Sequence, residues 1–147
     1  MELPSRIRSF NLVDQPQKFK TSLAKEAIFE QGLRDCFEYR DLGVTEATHG
    51  KFHATISRVK AGFKGDQHLR TTGMHRHLCN FQMFYVLKGW VTMFYEGEGE
   101  ITLHAGDNCL QPAGIVHNEI QCSEDFECLE IYAPAIHETV AIDGDES

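Results

Sequence analysis

The chain has 147 residues, 41% of them apolar and 24% charged, enough for one independently folding domain and ordinary for a soluble globular protein. Its 14 basic residues against 22 acidic ones give a net charge of -8, which excludes the basic face that nucleic acid or an anionic membrane surface requires. No run approaches the roughly 18 apolar residues of a bilayer crossing, and Met-Glu-Leu-Pro-Ser-Arg-Ile-Arg at the start lacks the apolar core of a secretory signal. A cytoplasmic single domain over 1–147 is expected. The five cysteines, Cys36, Cys79, Cys109, Cys122 and Cys128, are odd in number and form no Cys-x-x-Cys pair. They read as reduced, mostly buried small hydrophobes rather than a disulfide framework or a thiolate metal site.

The elements follow in chain order. Residues 1 to 22 mix Pro4, Pro16, charges and isolated apolar residues, the pattern of an extended arm that frays or adds a strand to a sheet edge, its own or a neighbouring subunit's. Counting the segment that follows, the arm extends to about residue 30 and the barrel covers about 50–134. Thr21 to Phe29 offers a weak helix start, with Ser22 as its cap. Cys36 to Arg40 alternates like a strand, and Lys51 to Lys60 is another, with Phe52, Ala54, Ile56 and Arg58 sharing one largely apolar face. Arg58 falls near the strand end, where it should reach water.

Beyond a turn at Gly62 to Asp66 and an extended piece at His68 to Thr72, short β-rich runs succeed one another: 83–87, 90–95, 101–104, 109–110, 116–121 and 126–132. Turns at Lys88-Gly89, Glu96 to Gly99, Ala105 to Asp107 and Pro112 to Gly114 separate them. Strands of about five residues with no helical period between them specify an all-β antiparallel sandwich or barrel. The tail after Pro134 is expected to be loose.

His75 and His77 are two apart beside a β-rich run, so on a strand both side chains point the same way. Two imidazoles on one face make half a metal site, and Gln82 and His117 complete it if the chain doubles back. Alternation also puts Glu119 and Gln121 on the face of His117, and Phe84 and Val86 on that of Gln82. Glu119 is therefore the candidate general base, unless a bulge turns it outward. Tyr85, Trp90 and Tyr95 line the mouth or belong to the core or a dimer interface, and Cys79 is a packed loop thiol. His49, His53, His68, His104 and His137 show no partner in the sequence.

The spacing from Gly73 to Gln121 resembles the two motifs of the cupin superfamily. The first motif has a glycine, His-x-His, an acidic residue and a second glycine, and here His75, His77, Gln82 and Gly89 fall on it. The second is met by Gly106, Pro112, Gly114 and His117 in register. The departures are Leu69 at the opening glycine, Gln121 for the closing asparagine, and Gln82 for the usual glutamate ligand. The resemblance implies a double-stranded β-helix of the jelly-roll type, with His75, His77, Gln82 and His117 as ligands of one divalent transition metal, Fe, Mn, Ni, Zn or Cu.

Three imidazoles and an amide are neutral donors, so a bound ion keeps its full charge and attracts an anion. The expected function is a metal-dependent enzyme of the oxygenase, isomerase or decarboxylase type, acting on a small anionic or chelating organic substrate. The alternative is a binding barrel or sensor that holds a small molecule without turnover. A homodimer is expected, because a single barrel of this size exposes edges and aromatic patches.

Overall fold

The computed structural model describes residues 16–32, 34–63 and 73–142. The arm before residue 16, the extended piece at His68 to Thr72 and the acidic residues after 142 lie outside these. Among the described residues eleven strands carry the fold: β1 (Glu30–Gln31), β2 (Phe37–Asp41), β3 (His53–Val59), β4 (His75–His77), β5 (Phe81–Lys88), β6 (Trp90–Tyr95), β7 (Gly99–His104), β8 (Asn108–Leu110), β9 (His117–Cys122), β10 (Glu127–Ala133) and β11 (Thr139–Ala141). They form two antiparallel sheets, ordered β1-β2-β3-β10-β5-β8 and β11-β4-β9-β6-β7, that face each other as a jelly roll. One short helix, α1 (Val44–Ala47), links β2 to β3.

The helix expected at Thr21 to Phe29 is reduced to a 3-10 turn at Ala24–Glu26. The reason is tertiary: the segment is held extended against the sheet. Arg40 Nη2 donates to the Ser22 carbonyl and hydroxyl at 2.9 Å each, and the Arg58 guanidinium sits 3.5 Å from the centre of the Phe29 ring. The arm then adds β1 to the edge of its own sheet, pairing Glu30 with Tyr39.

Turning from one sheet to the other takes only Gly89 between β5 and β6, and its φ of +69° is one that L side chains rarely adopt. A Cβ there would also strike the Ser123 hydroxyl, which accepts the Trp90 N–H at 2.9 Å.

Side chains from both sheets meet in a core that includes Phe37, Phe84, Val86, Val91, Met93, Tyr95, Cys122, Phe126 and Cys128. Val86, Val91 and Cys122 are almost wholly enclosed, and each such aliphatic side chain contributes roughly 1.5–3 kcal/mol by leaving water.

The face of β3 reverses the expectation from its sequence. Thr55, Ser57 and Val59 are buried, and Tyr39, Ser57 and Cys128 share one cross-strand row. Phe52, Ile56 and Arg58 lie on the other, more exposed side, with Ala54 buried among them, and there Ile56 stands beside Leu129, which in turn stands beside Tyr85. The apolar stripe marks an outer sheet face, and the polar stripe lines the interior. The tail expected to be loose instead forms β11, which pairs with β4 through Thr139 opposite His77 and Ala141 opposite His75.

Candidate metal centre

β4 is only three residues long and is held between β11 and β9. Its alternation directs Arg76 outward to solvent and His75 and His77 inward. His75 is paired across the ladder with His117, the first residue of β9. The three rings converge, with centroids 4.5 Å apart for His75 and His117, 5.0 Å for His75 and His77, and 5.1 Å for His77 and His117. One ring nitrogen from each lies within 4.8 Å of the others.

The second ring nitrogen of each histidine is already occupied. His75 Nδ1 donates to the Gly73 carbonyl at 2.8 Å, and His117 Nδ1 to the Ile115 carbonyl at 3.0 Å. His77 Nδ1 bonds the Thr139 hydroxyl at 2.8 Å. A carbonyl only accepts, so in His75 and His117 the proton sits on Nδ1. Burial, reinforced by the neighbouring imidazoles, pushes His77 down to about 3. Burial likewise lowers His117, with His75 adding to the effect and the Ile115 carbonyl opposing it. The donor set is neutral, oriented and hydrogen-bonded from behind, which fits a divalent transition metal.

Gln82 is buried on β5 and lines the same cavity as the histidines. Its Nε2 donates to Glu130 Oε1 at 3.2 Å, and the Cys79 thiol approaches its Oε1 at 3.9 Å. The loop thiol is thus packed beneath the site. The cavity holds about 610 Å³ between the sheets, within the range of small-molecule sites. Its apolar floor includes Phe37, Phe84, Met93 and Phe126.

Glu119 also lines this cavity, two residues after His117 on the same face. The bulge in β9 falls after it: Met93 opposes Glu119 while Thr92 opposes Gln121, so Ile120 is the extra residue. The shift of register takes Gln121 off the shared face and turns Cys122 inward, where it is fully buried. Tyr85 lies on the outer face of β5, and Tyr95 is buried with its hydroxyl donating to Gln111 Oε1 at 2.6 Å. Among the described residues, neither they nor Trp90 line the cavity.

Among the cavity residues to which the sequence assigned no role are Arg34, Tyr39, Ser57, Glu130, His137 and Thr139. Arg34 reaches in from the connection between β1 and β2 and pairs with Glu119. Burial opposes its charge, but Glu119, Tyr39 and Glu130 more than offset that and leave its pKa raised. Glu130 stands between Phe84 and Thr55 on adjacent strands. It is deep in protein yet open to the cavity. Burial, then Glu119, pushes its carboxyl up to about 7 against the opposing effects of Gln82 and Arg34. His137 donates Nδ1–H to the Pro134 carbonyl at 3.0 Å, with its ring 5.7 Å from that of His77. A carboxylate alternating with Cys128 and Tyr132 was a legible signal for Glu130; nothing local marks Arg34.

A family model described as cupin domain matches residues 67–132. The match covers less than half of the chain, whose fold is of the cupin type. Structurally, the chain is similar to KdgF from Halomonas sp., with a TM-score of 0.62 and 19% identity over 80% of this chain and 94% of that one. It is similar also to an RmlC-like cupin from Shewanella frigidimarina, with a TM-score of 0.59 and 20% identity over 82% and 95% of the two chains. A variant of Bacillus subtilis oxalate decarboxylase OxdC gives a TM-score of 0.59 at 18% identity, over 86% of this chain and 32% of the decarboxylase chain. At these identities the likeness is one of fold. No curated protein matches the chain in sequence. No helix among its described residues is long and apolar enough to cross a membrane.

Proposed function

We propose that this chain is a metal-dependent cupin enzyme of the oxygenase, isomerase or decarboxylase type, acting on a small anionic or chelating organic substrate. The observation that carries the reading is the convergence of His75, His77 and His117, each with its Nδ1 hydrogen-bonded and one ring nitrogen within 4.8 Å of the others. In this reading the three imidazoles and the Gln82 amide oxygen hold one Fe, Mn, Ni, Zn or Cu ion. That ion supplies Lewis acidity and a template for a chelating group.

The chain's own residues do the rest. Thr139 and the Gly73 and Ile115 carbonyls fix the rings, and the apolar floor excludes water from the substrate's body. Glu119, held in place by Arg34 on the wall beside His117, is the carboxylate proposed to accept or return a proton. The fold's presence in a decarboxylase is compatible with this chemistry and does not select it.

Metal analysis after anaerobic reconstitution, followed by a screen of small organic acids for turnover, tests the proposal. About one divalent ion per chain and conversion of an acid are expected. Failure to retain any divalent ion overturns it, and tight binding without turnover leaves the non-catalytic binding barrel instead.

We also propose that the protein is a homodimer. What supports this is the outer face of the six-stranded sheet, where exposed Tyr85, Leu87 and Leu110 adjoin Met83, Leu129 and Ile131, a patch of the kind that marks an interaction surface. Light scattering is expected to report two chains, and Tyr85→Glu one; a monomeric wild type at micromolar concentration removes the idea.

A further inference from the structure

Arg34 is the only arginine or lysine among the described residues that line the cavity. A guanidinium has five N–H donors in a planar fork suited to carboxylates. Yet the one hydrogen bond found for it among the described residues runs from Nη1 to Glu119. Its side chain is 16% exposed and that of Glu119 27%, so both remain open to the cavity.

A second observation lies on the same wall. The Ser57 hydroxyl is buried and has no hydrogen-bond partner among the described residues, although a buried polar group normally has one. Ser57 lines the cavity and stands directly opposite Tyr39, whose phenol is among the groups acting on Arg34. An underused guanidinium, an orphaned hydroxyl and a phenol thus share one stretch of wall, apart from the strands that carry the histidines.

We propose that Arg34, Ser57 and Tyr39 form a carboxylate subsite, and that the substrate is therefore a diacid. One acidic or chelating end lies at the histidines; the other is anchored by the Arg34 fork. This rests on the reading of the cavity as an anion-binding substrate site and names its substrate class. Glu119 pairs with Arg34, and the arriving carboxylate competes with it for the same donors. Binding of the diacid and release of the Glu119 carboxylate are then one exchange, because two carboxylates compete for one fork.

Pyruvate and 2-oxoglutarate share the 2-oxo-acid end and differ in the distal carboxylate, so calorimetric titration of zinc-loaded protein with each isolates the subsite. Wild type is expected to bind 2-oxoglutarate about 10- to 100-fold more tightly than pyruvate. Arg34→Gln should abolish that preference while leaving zinc content and pyruvate affinity unchanged, and Arg34→Lys should restore only part of it. Glu119→Gln, which removes the competitor, should tighten 2-oxoglutarate binding several-fold. Ser57→Ala, a minimal truncation, gives a test that does not depend on how well the Arg34 variants fold, and is expected to weaken 2-oxoglutarate alone. An equal preference in wild type and Arg34→Gln, weaker binding in Glu119→Gln, or no effect of Ser57→Ala overturns the subsite. Zinc-loaded wild type that binds neither acid overturns the anionic-substrate reading itself, and the subsite with it.

Discussion

His75 and His117 stand opposite each other across the β4–β9 ladder, their ring centroids 4.5 Å apart and both nearly inaccessible to solvent. Two imidazoles buried at this distance are tolerable when neutral, and each is held in the Nδ1–H tautomer by a backbone carbonyl two residues earlier. With a ligand set of this kind, His75→Ala or His117→Ala should lower metal content from about one ion per chain to under about a tenth. A ligand that binds only the folded state raises stability by RT ln(1 + [L]/Kd). Added zinc should therefore raise the unfolding temperature of wild type and not of either variant, as differential scanning fluorimetry reads directly.

The support behind His77 comes from the C-terminal strand. Thr139 places its hydroxyl 2.8 Å from His77 Nδ1, and Thr139→Val keeps the shape while removing that partner. Loss of such a second hydrogen bond typically costs 10- to 100-fold in metal affinity, and about that loss is expected here. Competition against a chromogenic chelator measures it; an unchanged affinity would mean that His77 needs no such orientation.

Gly89 makes the passage between sheets. Its φ is +69°, and the space beside it is filled by Ser123, Asp125 and Phe126. Gly89→Ala should therefore destabilise the fold by about 1–3 kcal/mol, seen as a lower urea midpoint with an unchanged slope. Gly97→Ala should cost less, because its φ is similarly positive at +85° but nothing stands within 4 Å.

Alkaline pH should weaken the fold through the buried thiols. Burial, with smaller contributions from Glu119 and Cys36, pushes Cys122 up to about 12, and burial raises Cys128 as well. Unfolded thiols ionise near their ordinary value of about 8.5. Below that pH both states hold the proton and stability is intact. As pH climbs from about 8.5 toward 12 the unfolded chain loses protons that the folded chain keeps, and each such thiol removes about 1.4 kcal/mol per pH unit. Urea midpoints should fall between pH 8 and pH 10, and the fall should be shallower in Cys122→Ala. In the native protein at pH 8, iodoacetamide should leave Cys122 and Cys128 unmodified by mass spectrometry.

What could be read along the chain was whatever depends on neighbours in sequence. Glycine turns, strand-length apolar runs and the two-residue spacing of His75 and His77 are local properties, and they led to an all-β barrel with His117 and Gln82 brought back to the pair. Only the tertiary structure decided which side of each strand faces inward and what arrives from elsewhere. The apolar stripe of β3 lies outside, because the interior it borders is a partly polar cavity and the outer sheet face is the apolar one. The bulge at Ile120 removed Gln121 from the face of Glu119, an offset that depends on pairing with β6. Arg34 meets Glu119 across 85 residues of chain, and Thr139 meets His77 across 62. No periodicity encodes such contacts; they exist because separate strands close on one another in two packed sheets.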